Sequence, residues 1–182
     1  KELNWELTSK NALFTYHPET LKENDIVSDI EDIISILETF SFNVLFTYAN
    51  ADKGGRVINQ KIEEFCKRQP AKYKVVKSLG QIKYLSAMKY VDLLIGNSSS
   101  GIIEAASFKK PVINIGDRQK GRLRGENVID CNLNSLQDSI KLALSSSFRN
   151  KINNINNIYG IGIAADIIVD KLINEPISVI KK

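Results

Sequence analysis

Short apolar runs recur along this chain, and most of them are separated by segments with helical periodicity. Continuous apolar runs of four to six residues are typical of strands buried in a parallel sheet, because helices cover both faces of such a sheet. The pattern therefore predicts about six strands connected by helices. The runs are Asn11–Tyr16, Asn43–Tyr48, Tyr73–Val76, Asp92–Gly96, Pro111–Ile115 and Asn127–Asp130.

The segments between these runs place apolar residues on one face of a helix. Between the first two runs, Ile30, Ile33 and Leu37 lie at helical spacing while Asp29 and Asp32 take the other face. Repeated strand–helix units of this kind predict a doubly wound, Rossmann-like α/β sheet with helices on both faces. Similar periodicity occurs in Val57–Lys67, Ile82–Lys89, Leu136–Leu144 and Ala164–Ile173.

Two segments interrupt this pattern. Residues 1–10 carry no clear strand or helix signal, so we interpret them as the remnant of an interdomain linker and residues 11–182 as a single domain. The asparagine-rich stretch Asn150–Asn157 predicts a loop, since asparagine side chains compete for backbone hydrogen bonds in helices. We expect the last helix to detach from the domain there.

Composition excludes several classes of protein. A 182-residue chain with 43% hydrophobic and 25% charged residues is typical of a globular protein with a sizeable core. No apolar run approaches the roughly 18 residues needed to span a bilayer, so we expect a cytoplasmic protein without a membrane partner. Cys66 and Cys131 are far apart and match no metal-ligand pattern, so we expect no metal and no cofactor.

Positive charge is concentrated in one segment. The chain carries a net charge of +4, but residues 109–124 hold six cationic residues and a single acid, leaving the rest slightly acidic. This distribution predicts a local anion site. No aromatic residue or recognition motif accompanies the cluster, so nucleic acid is not an expected partner.

The stretch IGNSSSGIIEAASF resembles two known motifs without completing either. Ile102 and Ile103 stand where a phosphate loop needs lysine and a hydroxyl. A nucleophile elbow needs glycine where Ser100 stands, and needs a histidine after the serine, whereas the sole histidine, His17, precedes it. A dinucleotide pattern at residues 160–165 follows the asparagine-rich loop instead of a strand, so we interpret it as a coincidence.

What remains in this stretch is a strand, a turn and a helix start with three serines. Free N–H groups, the helix dipole and the hydroxyls predict an anion site there, although one serine could serve only as a helix cap. Glu104, one turn later, would reach past a phosphate to ribose hydroxyls. Arg118 in a later loop could contact the same phosphates. His17 is expected to titrate near neutrality and to serve as an acid or a diphosphate ligand.

Four segments together resemble the hydrolysing UDP-N-acetylglucosamine 2-epimerases, in particular the branch that serves sialic-acid and related nonulosonic-acid synthesis. They are YHPET, TYANADKGGR, the long block LGQIKYLSAMKYVDLLIGNSSSGIIEAASFKKPVINIGDRQKGR, and GENVIDC. The similarity spans residues 11–172. It implies that the chain is the second half of a two-domain, glycosyltransferase-B-like enzyme whose N-terminal domain is missing, with UDP and a UDP-N-acetylhexosamine as ligands. The sequence does not decide whether the protein forms a homo-oligomer.

The resemblance also assigns roles to individual residues. It implies that His17 contacts the departing diphosphate as the one candidate catalytic residue of this chain. The other residues that it assigns would bind UDP: Asn50 on the nucleotide side, Leu79 through its backbone to uracil, Ser98 and Ser99 at the diphosphate, Gly101 beside them, Glu104 at the ribose and Arg118 at a phosphate. The chain departs from the family at Ile161, where an acid is usual, and at Ala106, where proline is common.

The implied reaction eliminates UDP from the sugar, leaving a 2-acetamidoglucal that is hydrated to N-acetylmannosamine. We find no convincing base for the C2 proton in this chain, so the isolated chain is expected to be inactive. Three alternatives stay open: a substrate with a 2,4-diacetamido-trideoxyhexose in place of N-acetylglucosamine, a glycosyltransferase half, and a binding module without turnover.

Overall fold

The computed structural model describes residues 5–8, 10–19, 26–52 and 54–175. Its strands are β1 (Asn11–Thr15), β2 (Asn43–Thr47), β3 (Tyr73–Val76), β4 (Leu93–Gly96), β5 (Val112–Ile115) and β6 (Val128–Cys131). Its helices are α1 (Ile26–Glu38), α2 (Gly55–Arg68), α3 (Gly80–Tyr90), α4 (Ser99–Ile103), α5 (Leu133–Leu144), α6 (Ser146–Ile152) and α7 (Ala164–Asn174), and a 3-10 turn spans Ala105–Phe108.

The six strands form one parallel sheet in the order β3-β2-β1-β4-β5-β6. This confirms the predicted doubly wound α/β class. All six predicted strands occur, with no end shifted by more than one residue. Helix α5 begins three residues earlier than its apolar periodicity suggested, because Asn132 and Ser135 form a reciprocal capping box at its start.

Alternate residues of the central strands pack on opposite faces of the sheet. Phe14 of β1 and Phe46 of β2 pack with the apolar faces of α1, α2 and α5. Leu13 and Leu45, the preceding residues, point to the other face and pack with α3 and the 3-10 turn. Because both faces are covered, the strands are apolar throughout, and their carboxyl ends are left as the edge open to a ligand.

The C-terminal part departs from the compact sheet. The predicted loop at Asn150–Asn157 begins only at Asn153, because Ser145 caps a short helix, α6, that runs to Ile152. Helix α7 then follows with no buried residue, and every residue from 158 to 175 is exposed. The last helix is thus detached from the domain, as expected. None of the helices in the described ranges is both long and apolar enough to cross a membrane.

Candidate functional site

The loops after β1 and β4 meet where the strand order reverses direction. Crevices at such a point are where open parallel sheets bind ligands. Gly96, the last residue of β4, has φ of 134°, and a Cβ there would lie 1.9 Å from the carbonyl oxygen of Thr15. Only glycine allows the ends of β1 and β4 to approach this closely.

Asn97 joins these two loops through its side chain. Its Oδ1 accepts a hydrogen bond from the backbone N–H of His17 at 2.7 Å, and its Nδ2 donates to the carbonyl of His17 at 2.9 Å. The residue is fully buried. His17 is therefore held at the end of β1 by a residue from the end of β4.

The imidazole of His17 contacts the loop after β2. The backbone N–H of Asn50 donates to Nδ1 of His17 at 3.0 Å. Burial, reinforced by the positive charge of Arg118 and opposed by Asp52, lowers the pKa of His17 to about 4. The expectation that His17 titrates near neutrality is therefore wrong, because desolvation of the ring outweighs the nearby carboxylate. At neutral pH the ring is uncharged.

Arg118 comes to this cluster from the loop after β5. Its Nη1 donates to the carbonyl of Asn97 at 3.3 Å, and Nε2 of the buried Gln119 donates to the same oxygen at 2.8 Å. Glu19 accepts hydrogen bonds from the backbone N–H groups of Asp117 and Arg118. These contacts bring Arg118, His17 and Asn50, three residues predicted from distant segments, to one place.

The serines after β4 form a hydroxyl chain. Ser98 precedes α4 and its Oγ accepts from the backbone N–H of Ser100 at 3.4 Å, so it acts as the cap. Ser100 Oγ lies 2.9 Å from Ser98 Oγ and 2.7 Å from the hydroxyl of Tyr84. Ser99 is the half-buried first residue of α4. Because α4 is only five residues long, hydroxyl and N–H groups contribute more here than a helix dipole.

Glu104 lies in a separate cleft beside this chain. The cleft has a volume of about 330 Å³ and is lined by Leu79, Tyr84, Glu104 and neighbouring residues that follow β2 and β3. Burial raises the pKa of Glu104. Its carboxylate has no hydrogen-bond or ion-pair partner among the described residues. An unpaired, half-buried carboxylate of this kind is available to accept hydrogen bonds from a ligand.

Gly101 and Leu79 have clear structural roles as well. A Cβ on Gly101 would lie 2.9 Å from Cγ1 of Val112, so glycine at this position allows α4 to pack against β5. Leu79 is buried, packs in the core on the α3 side, and is the residue immediately before α3. Packing alone explains both residue types, and their assignment to UDP stays a prediction.

The cationic segment does not form a single anion site. Lys109 and Lys110 precede β5 and therefore lie at the opposite end of the sheet, where the Nζ of Lys109 donates to the carbonyl of Ile155. Arg124 pairs with Asp130 at 3.0 Å. Strand β5 therefore divides the segment: Lys109 and Lys110 lie before it, and Arg118 lies in the loop after it, beside His17. For the part of the segment that follows β5, the anion site stays a prediction.

The described part of the site offers fixed donors and the unpaired carboxylate of Glu104. The described residues contain no group of three or more His, Cys, Asp or Glu side chains suited to a metal ion. Asn97, Gln119 and Tyr84 are additional site residues that sequence reasoning missed. Asn97 stood inside the serine-rich stretch and directly after a strand, which was the available signal. Nothing local marked Gln119 or Tyr84.

Comparison with known proteins places this geometry in a family. The family model described as UDP-N-acetylglucosamine 2-epimerase matches residues 1–173. A GDP/UDP-N,N'-diacetylbacillosamine 2-epimerase (hydrolyzing) of Campylobacter jejuni is 43% identical over 82% of this chain and 39% of its own length. The polysialic acid biosynthesis protein P7 of Escherichia coli is 36% identical over 84% of this chain and 40% of its own length.

Solved structures agree on the fold. The UDP-GlcNAc 2-epimerase of Neisseria meningitidis bound to UDP-GlcNAc has a TM-score of 0.73 at 19% identity, covering 91% of this chain and 45% of that one. The Methanocaldococcus jannaschii enzyme in complex with UDP-GlcNAc and UDP has a TM-score of 0.69 at 20% identity, covering 90% and 45%. These likenesses confirm the predicted fold, which is that of one half of a glycosyltransferase-B-like architecture.

The chain spans about two fifths of the length of the curated relatives that it matches. Within that span, the epimerase family model covers nearly the whole chain. The chain belongs to the UDP-N-acetylglucosamine 2-epimerase family.

Proposed function

We propose that this chain is the UDP-binding half of a hydrolysing UDP-sugar 2-epimerase. The observation that carries the proposal is the carboxylate of Glu104, which is half-buried in the cleft next to Leu79 and has no partner among the described residues. A desolvated carboxylate is costly unless a ligand supplies donors. The vicinal hydroxyls of a ribose would supply two.

The diphosphate would lie between this cleft and the cluster around His17. Tyr84 lines the cleft, and its hydroxyl contacts Ser100, which in turn contacts Ser98. The serine chain therefore runs from the proposed ribose site toward the strand ends. At the other side, Arg118 carries a guanidinium that suits phosphate oxygens. Uridine in the cleft and phosphates toward Arg118 is the arrangement that these contacts favour.

The chemistry that this half would contribute is stabilisation of the leaving group. When the bond between sugar C1 and the diphosphate oxygen breaks, the electron pair stays on that oxygen and negative charge develops there. Fixed donors and a guanidinium lower the energy of that charge. Removal of the C2 proton needs a positioned base. We propose that this base belongs to the part of the enzyme that the chain does not include.

Two sugars are candidates for the substrate. The first is N-acetylglucosamine, which would be converted to N-acetylmannosamine with release of UDP. The second is N,N'-diacetylbacillosamine, a 2,4-diacetamido-trideoxyhexose, and it is favoured by the name of the 43% identical Campylobacter jejuni relative. The groups of this chain that we assign to nucleotide binding would contact UDP in the same way with either sugar attached. The choice between them would rest with residues that contact C4 and C6 of the sugar.

We also propose that α7 contacts the missing part of the enzyme. Its apolar side chains are largely exposed, with Leu172 at 76% and Ile168 at 58%. An exposed apolar helix face is typical of a surface that another domain covers. About three fifths of the relatives' length lies outside this chain, enough for a further domain to occupy that face.

Calorimetric titration of this chain with UDP, UMP and inorganic diphosphate tests the nucleotide assignment. We expect UDP to bind more tightly than either fragment, because it alone engages both the Glu104 cleft and the Arg118 cluster. Equal affinity for UDP and inorganic diphosphate would contradict the proposal. In an enzyme that carries the remaining length, release of free UDP and N-acetylmannosamine without an acceptor would distinguish an epimerase from a glycosyltransferase.

A further inference from the structure

Asn97 is fully buried, and the proposed function gives it no contact with a ligand. The pairing of β1 with β4 ends at Thr15 and Gly96, and the N–H of Asn97 then donates to the carbonyl of Thr15 at 3.1 Å. Two residues beyond the end of β1, the side-chain amide of Asn97 bonds both the N–H and the carbonyl of His17. The side chain thus replaces a peptide group and extends the pairing to His17.

The backbone of Asn97 is itself fixed from a third loop. Its carbonyl accepts from Nε2 of Gln119, which is 3% exposed, and from Nη1 of Arg118. These hydrogen bonds resist rearrangement, because breaking the bond from Gln119 would leave its buried Nε2 without an acceptor. His17 and Arg118 are therefore positioned relative to each other through a single residue.

The imidazole is constrained from the opposite side. Nδ1 of His17 accepts the N–H of Asn50 at 3.0 Å, and a ring nitrogen that accepts a hydrogen bond carries no proton. In the neutral ring the proton is then on Nε2. Among the described residues, the charged groups that act on the ring are Arg118, which opposes a positive charge on it, and Asp52, which favours one. Burial adds to the effect of Arg118.

We propose that Asn97 is a positioning residue for His17, and that with the Asn50 N–H it presents His17 as a neutral imidazole whose Nε2–H donates to the departing diphosphate. This inference deepens the proposed function and rests on it. As the C1–O bond breaks and the electron pair moves to the diphosphate oxygen, the Nε2–H hydrogen-bonds that oxygen and the ring keeps its proton. His17 then acts as a fixed donor and not as an acid.

Because His17 is the only histidine, nitrogen NMR of histidine-labelled protein reports on it alone. In the wild-type chain we expect the Nε2–H form at pH 7 and a titration well below that of a free histidine. An Nδ1–H ring, or a charged ring at pH 7, would overturn the proposal.

Asn97→Ala is the direct variant, with Asn127→Ala as its matched control. Asn127 is equally buried and its Nδ2 donates to the carbonyl of Lys110 at 2.9 Å, but it precedes β6 at the far end of the sheet. We expect Asn97→Ala to mix the tautomers, raise the pKa of His17 toward that of a free histidine and weaken UDP binding about tenfold. The control should change none of these. Equal spectra and affinities in both variants would refute a positioning role.

Gln119→Met tests the same network if Asn97→Ala does not fold. It leaves Asn97 in place and removes the buried donor to its carbonyl, so the pKa of His17 should rise by a smaller amount. An unchanged pKa of His17 in this variant would contradict the positioning of the ring through Asn97.

His17→Gln and His17→Leu distinguish a neutral donor from a cation. Glutamine keeps an uncharged N–H donor, so UDP affinity should fall less in His17→Gln than in His17→Leu, and equal losses would contradict the donor role. If the wild-type chain shows the Nε2–H ring but does not bind UDP, the proposed function fails while the assignment of the ring stands. If UDP binds and the ring carries its proton on Nδ1, the inference alone fails.

Discussion

Replacing Glu104 tests the ribose assignment most directly. Hydrogen bonds to a charged group contribute about 1.5–3 kcal/mol, whereas neutral ones contribute about 0.5–1.5 kcal/mol. Glu104→Ala removes the acceptor entirely, so the Kd for UDP should rise by about 10- to 150-fold. Glu104→Gln retains one neutral carbonyl acceptor in the same cleft, so its Kd for UDP should rise by less than that of Glu104→Ala. Inorganic diphosphate, which has no ribose, should bind all three proteins alike.

The stability of the unliganded protein provides a second test, in which Glu104→Gln is expected to have the opposite effect: it weakens UDP binding but does not lower the Tm. Because burial raises the pKa of Glu104 above its value in the unfolded chain, the folded state binds the proton more tightly. Its contribution to stability is therefore present at low pH and is lost as pH rises through this raised pKa. Glu104→Gln removes that loss, so its Tm should equal or exceed that of the wild type at pH 7, with a smaller difference at pH 4.

Calorimetry with UDP, 2′-deoxy-UDP, 3′-deoxy-UDP and inorganic diphosphate completes the assay. The wild type should prefer UDP over the deoxy analogue that lacks the contacted hydroxyl, and Glu104→Ala should lose this preference. Glu126→Gln is a suitable control, since Glu126 is exposed and pairs with Lys151 at the far end of the sheet. Equal weakening of UDP and diphosphate in Glu104→Ala, or a lower Tm with unchanged UDP affinity in Glu104→Gln, would refute the reasoning.

Four further outcomes are expected. Arg118→Ala should weaken UDP and inorganic diphosphate by similar factors in calorimetry, and Arg118→Lys should restore only part of the loss, since lysine lacks the guanidinium fork. Chelation with EDTA should leave UDP affinity unchanged, and a loss would indicate a metal in binding. Gly96→Ala should unfold the chain or sharply lower its Tm by circular dichroism, because its Cβ would meet the carbonyl of Thr15. Leu172→Asp should leave the Tm of this chain unchanged and lower that of an enzyme carrying the remaining length.

The fold was readable from sequence because its signals are local. Apolar runs mark strands that both helix layers cover, and period-3.6 patterns mark the covering helices. In a parallel sheet the carboxyl ends of the strands share one edge, so residues that follow strands gather there without any knowledge of strand order. His17, Ser98 and Arg118 follow strands and belong to that edge, whereas Asn50 was assigned only by the resemblance. The structure brings His17, Asn50 and Arg118 together.

Strand bounds needed only small corrections, whereas helix starts and ends depended on capping. Ser145 and Asn132 begin helices through hydrogen bonds to backbone N–H groups that hydrophobic periodicity does not report. Exposure of α7 is a related case. Its sequence carries the spacing of a covered helix, although the asparagine-rich stretch before it predicted its detachment. The tertiary arrangement shows that this domain does not cover it.

The electrostatic and positioning features of the site were decided by tertiary structure alone. The pKa of His17 depends on desolvation and on Arg118, which lies 101 positions away in the chain. Gln119 became a site residue only because the loop after β5 folds back onto the end of β4. The sequence predicted one anion site for the whole cationic segment. In the structure, Lys109 and Lys110 precede β5 and Arg118 follows it, so they lie at opposite ends of the sheet. Sequence determined which residue types are available near an edge, while the long-range contacts determined which of them meet and in what charge state.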